Sequence, residues 1–85
     1  MKSTNIQVFE NLKLALAGAG ADFTDVAKLT TYVVNLKPDD RLVIADVIGN
    51  YFPAGRRPAH TLVGVSALAV EGLLIEIEAI AVVPD

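Results

Sequence analysis

The chain has 85 residues, with seven basic and ten acidic side chains and a net charge of −3. A domain of this length buries only about two thirds of its unfolded surface, so residues 1–85 are expected to form one domain with a small core. Cysteine is absent and histidine occurs once, which excludes a disulfide framework and leaves too few ligands for a closed zinc site.

The acidic balance argues against non-specific nucleic-acid binding, which depends on neutralising phosphate. Arg56-Arg57 is the sole basic pair. No apolar run reaches the roughly 18 residues of a membrane span. Met1-Lys2-Ser3-Thr4-Asn5 leads into no signal-peptide core, so a cytoplasmic protein is the default expectation. Yet 53% of the residues are apolar, more than a small core takes up. Self-association is the expected outlet for that surface.

Ser3, Thr4 or Asn5 can cap a first helix, and Ile6 to Ala19 supplies it. Phe9, Leu12 and Leu16, with Val8, Ala15 and Ala19, recur at three- and four-residue steps and form its apolar stripe. Gly20 suits the left-handed position after the helix. Ala21 to Asp25 connects to Val26–Leu36, whose β-branched and aromatic residues predict a strand. That strand is apolar on both faces near Tyr32–Val34, as a central strand would be.

Pro38, Asp39 and Asp40 open a second helix, at which proline fits the first turn and aspartate the positive end of the dipole. Leu42, Ala45, Ile48 and Tyr51 or Phe52 are its predicted buried stripe. Pro53 to Ala59 is dense in turn residues. From His60 to Leu68 the pattern alternates, with His60, Leu62, Gly64 and Ser66 on one face. Gly64 within a strand marks a close approach by a ligand or another backbone. The final strand, Leu73 to Val82, puts Leu73, Ile75, Ile77, Ala79 and Ala81 on one face and Leu74, Glu76, Glu78, Ile80 and Val82 on the other. The last two strands read as a hairpin, with a longer-range pairing equally open.

Four features could carry chemistry. Glu76 and Glu78 sit roughly 7 Å apart along one strand face. Either one is a water-orienting or acid–base carboxylate, or both belong to a solvated outer face. His60 enters its strand after a loop and could bind a carboxylate or relay a proton, or be a half-exposed strand residue. Arg56 and Arg57 suit anion recognition but also suit a solvated loop. Gly18-Ala19-Gly20 follows a helix rather than a strand, which makes it a poor dinucleotide fingerprint.

Several stretches together resemble the Rid family, the small trimeric reactive-intermediate imine deaminases also known as YjgF-like proteins or L-PSP endoribonucleases. They are Val8-Phe9-Glu10-Asn11-Leu12-Lys13 with the Ala-Gly run after it, Asp25 to Val33, Tyr51-Phe52-Pro53, Arg57-Pro58-Ala59-His60-Thr61, Val63 to Leu68 and Ile75 to Ala81. They cover nearly all of residues 7–83. The resemblance implies a chorismate-mutase-like α+β fold, with two helices on one face of a mixed sheet and the last strand central. Three such sheets would pack into a trimeric barrel. Clefts between subunits would bind small carboxylate metabolites, and family deaminases hydrolyse 2-imino or enamine acids to 2-keto acids and ammonia without metal or cofactor.

Carried onto this chain, Glu76 matches the catalytic, water-positioning glutamate of the family, and Glu78 becomes a structural or interface charge. His60 stands where the family places a carboxylate-gripping arginine, and Leu62 joins it as a substrate-binding residue. Histidine is shorter and lacks the two-pronged guanidinium, so impaired activity is expected. Arg57 is no automatic substitute, because side chains three apart on an extended segment point to opposite faces. The family's N-terminal hairpin has no counterpart, from a natural short form or a truncation. The final strand is then expected to present an open edge that invites pairing. A non-catalytic binding module and an endoribonuclease or translation inhibitor are the alternative functions, the latter disfavoured by the acidic charge.

Overall fold

The computed structural model describes residues 2–83, with side chains from residue 4. Helix α1 spans Lys2–Gly18, strand β1 Val26–Val34, helix α2 Pro38–Tyr51, strand β2 Ala59–Val65 and strand β3 Ile75–Ala81. The sheet order is β2-β1-β3. Strand β2 runs parallel to β1 and β3 antiparallel to it. The protein is thus α+β, with two helices and a mixed sheet.

The hairpin between the last two strands does not form; the longer-range pairing does. Strand β1 separates β2 from β3, and β3 is an edge among the described residues. The reason lies in β1. Leu29, Thr30, Thr31 and Val33 are all buried, which requires a neighbour on each side and cover on the helical face. Parallel pairing of β1 with β2 needs a long crossover, and α2 supplies it.

Helix α1 ends in a Schellman arrangement. Ala21 N–H donates to the Leu16 carbonyl at 2.8 Å and Gly20 N–H to that of Ala17 at 3.1 Å. Gly20 has φ 77°, the left-handed geometry expected of it. Asp22 then caps a one-turn 3-10 helix, Phe23–Asp25, through the Thr24 N–H at 2.8 Å. At the start of α2, Asp40 accepts from the Lys37 N–H at 3.0 Å.

Four expectations are corrected. Helix α1 begins at Lys2, and Asn5 lies buried inside it rather than capping it. Ala15 is exposed, and Ala19 lies past the end of the helix and is exposed too. In α2 the buried residues are Ile44, Val47 and Ile48, while Leu42 is 68% exposed and Ala45 is exposed too. Apolar residues run nearly all round this helix, so periodicity alone does not fix which face turns inward. Strand β1 stops at Val34 because Asn35 takes φ 53°.

Phe9 and Leu16 of α1, Ile44, Val47 and Ile48 of α2, Phe52, Val26, Leu29 and Val33 of β1 and Ile75 of β3 form one core. Aromatic rings join the helices. Phe9 stacks on Tyr51 at 5.0 Å, and Phe23 meets Phe52 edge-on at 5.1 Å. Tyr51 Oη donates to Glu10 Oε2 at 2.6 Å, and this bond pushes the phenol pKa up to about 12. Gly64 has its space taken by Leu36, whose Cβ lies 3.1 Å from where a Gly64 Cβ would be. The close approach expected there comes from this chain.

Substitution tests the phase of α2. Phe9→Ala should cost about 3–5 kcal/mol and Ile44→Ala about 2–5 kcal/mol, through lost burial and residual cavity. Leu42→Ala should stay within about 0.5 kcal/mol. Urea denaturation of the three variants checks the order, and a costly Leu42→Ala would contradict the assigned face.

Candidate functional site

Side chains alternate along each strand, and the register carries that alternation across the sheet. Leu29 stands level with His60, Thr31 with Leu62 and Val33 with Gly64 on one side. On the other side Leu29 pairs with Ala79, Thr31 with Ile77 and Val33 with Ile75. These residues face the helices. Thr30 pairs with Glu78 and Tyr32 with Glu76, so both glutamates belong to the opposite, open face. Burial along β3 alternates accordingly, with Ile75 buried and Glu76, Glu78 and Ile80 exposed.

His60 enters β2 directly after Pro58-Ala59, at the outer edge of the sheet. Its Nε2 lies 3.0 Å from Oγ1 of Thr31, which is fully buried. His60 and Leu62 line a cleft of about 190 Å³ with Arg41, Ile44 and Ala45 of α2. Arg41 also borders a neighbouring hollow of about 320 Å³, formed with Leu36, Lys37 and Pro38. The residue is exposed overall, yet burial of the ring pushes the His60 pKa below its ordinary value of 6.5. Near neutral pH the imidazole is therefore uncharged. It can donate or accept one hydrogen bond at each nitrogen, but it supplies no fixed positive charge.

Arg41, Ile44 and Ala45 are the cleft residues that sequence reasoning missed. A lone arginine in the first turns of a helix reads as solvated. Its usable signal is spacing, since positions 41, 44 and 45 share one helix face.

The three expected site residues do not meet within one chain. Glu76 lies on the open face of β3, whereas His60 and Leu62 lie on the helical face of β2. Two strand spacings and three residues of offset separate the His60 and Glu76 Cα atoms by on the order of 14 Å. No small molecule touches both on the same chain. Arg57 is not in the cleft either. Its guanidinium rests against α2, with Nη2 3.1 Å from where a Gly49 side chain would begin. Among the described residues, β3 has β1 on one side and no strand on the other.

The family model described as Endoribonuclease L-PSP matches residues 1–83. Protein DfrA of Myxococcus xanthus is 43% identical over 76 residues, covering 89% of this chain and 55% of that protein. A 2-iminobutanoate/2-iminopropanoate deaminase of Rattus norvegicus is 40% identical over 76 residues, covering 89% of this chain and 53% of its own length. The chain thus spans about half the length of these curated relatives. The crystal structure of the Rid protein YyfB from Yersinia pestis superposes with a TM-score of 0.85 at 45% identity, covering 91% of this chain and 58% of that one. A family-model match over residues 1–83, with relatives at 40% identity or more and a matching fold, makes the chain a member of the Rid (YjgF-like, L-PSP) family.

Proposed function

We propose that this protein binds small carboxylate metabolites in clefts between subunits of a homotrimer, and that it hydrolyses 2-imino or enamine acids slowly to 2-keto acids and ammonia. The observation that carries this reading is the division of the candidate residues. His60 and Leu62 line a cleft at one edge of the sheet, and Glu76 is exposed on the opposite face at the other edge. A second copy supplying the missing half would unite them. The exposed Leu74, Ile80 and Val82 around the glutamates are apolar surface of the kind that subunit contact covers. The name of the rat relative gives the reaction its class. Cytoplasmic location accords with such a substrate.

In the proposed chemistry, water adds to the electrophilic C2 of the imino acid and the carbinolamine formed expels ammonia. The C2–N bond breaks as C2 becomes a ketone. Glu76 would hold the attacking water and take up its proton, which passes on to the departing nitrogen. The cleft around His60 and Leu62 would hold the rest of the molecule. His60 replaces a two-pronged cation with a neutral ring, which weakens the grip on a carboxylate and makes the reaction slow.

An alternative is a non-catalytic module that recruits a partner along the free edge of β3. The family model's name also raises endoribonuclease activity, against which the net charge of −3 counts.

A dehydratase that generates 2-aminoacrylate, with pyruvate release as readout, tests the chemistry. The protein should speed release above the buffer rate, and Glu76→Gln should lower that gain on the order of a hundredfold. Release that matches buffer would leave the binding module. Sedimentation over a concentration series should give a trimer, and a monomer at all concentrations would defeat the shared cleft.

His60 also sets a pH dependence. Its folded pKa is below 6.5, so the unfolded chain takes up the proton first as pH falls. Its contribution to stability is complete above 6.5 and is lost as pH drops from there towards the folded value. The imidazole proton resonances should titrate with a midpoint below 6.5, and His60→Gln should flatten the acid loss of urea stability.

A further inference from the structure

We propose that Arg41 is the carboxylate anchor of the His60 cleft, a task moved from the start of β2 to the first turns of α2. The inference rests on the carboxylate-binding reading above and names the group that does the gripping. Arg41 borders both hollows on this side of the molecule. Arg41 is exposed, so its guanidinium can reach an anion in either hollow. The nearest acids on its helix are Asp39 and Asp40, and Asp40 is engaged by the Lys37 N–H.

The rest of the cleft fits a short aliphatic 2-oxo or 2-imino acid. Arginine binds a carboxylate through two parallel N–H bonds. Ile44, Ala45 and Leu62 give an apolar wall for a short alkyl group. The cleft, about 190 Å³, is small and suits a short ligand rather than a long one. Neutral His60, held by Thr31 at 3.0 Å, keeps a second ring nitrogen for the 2-oxo or 2-imino group. Without Arg41 no permanent cation would line this cleft, since Lys37 borders only the neighbouring hollow.

Calorimetry of the full chain with 2-oxobutanoate and with its methyl ester tests the assignment. The wild type should bind the acid, and Arg41→Ala should weaken it roughly ten- to hundredfold, the loss expected for a charge-assisted pair. The ester should bind wild type and Arg41→Ala equally. Arg56→Ala removes the same charge from a loop outside the cleft and should leave affinity for the acid within about twofold. Circular dichroism that superposes on wild type shows that the variants fold. Unchanged affinity in Arg41→Ala would overturn the assignment and leave the carboxylate reading standing. Equal weakening by Arg56→Ala would overturn it as a general charge effect. A wild type that binds no 2-oxobutanoate would overturn both.

Discussion

Burial of β1 on both of its flanks is the constraint from which the rest follows. Leu29, Thr31 and Val33 are all closed off from water. A strand buried in this way needs hydrogen-bonded neighbours on each side, because unsatisfied backbone groups are costly away from solvent. Strand β2 meets one side after the α2 crossover, and β3 meets the other by running back antiparallel. Once β1 is central, the pleat decides the face of every residue on its neighbours. His60 and Leu62 turn to the helices, and Glu76 and Glu78 turn away.

That division shapes any chemistry the chain performs. A residue pair on opposite faces and opposite edges cannot close around one substrate within a single copy. The apolar surplus points the same way as the geometry. Leu74, Ile80 and Val82 are exposed near the two glutamates, and Leu14 and Leu42 are exposed on the helices. They lie outside the core formed by Phe9, Leu29, Ile44, Phe52 and Ile75. Contact with a further copy would cover the open face of the sheet and bring a carboxylate to an edge that lacks one.

Much of this was legible in the sequence. The alternation of Ile75, Ile77, Ala79 and Ala81 against Glu76, Glu78 and Ile80 is the observed division of β3. Gly20 is the left-handed residue after α1, and Pro38 opens α2. The motifs running from Val8 to Ala81 carried the family as well as the fold class. What failed did so for physical reasons. Strand pairing is a long-range property, and short spacing between β2 and β3 favours a hairpin that the burial of β1 forbids. The phase of α2 failed because Leu42, Val43, Ile44, Ala45, Val47 and Ile48 give a helix with no clean polar face. Arg41 stayed hidden because a cleft is made by two elements, and no pattern within α2 shows that β2 lies opposite it.

The pairing of His60 with Thr31 gives the cleft its chemical character. A buried threonine hydroxyl beside an imidazole satisfies both polar groups without adding charge, so nothing compensates the cost of protonating the ring there. Histidine at this position therefore offers hydrogen bonds and no fixed charge. The cleft thus has a neutral hydrogen-bonding group on the sheet and, in Arg41, a cation on the facing helix. A carboxylate gripped from α2 would sit on the opposite wall from one gripped from β2, with its 2-carbon turned towards His60. The distance from that carbon to a glutamate of another copy then depends on how two sheets meet, and assembly geometry becomes a determinant of turnover as well as of stability.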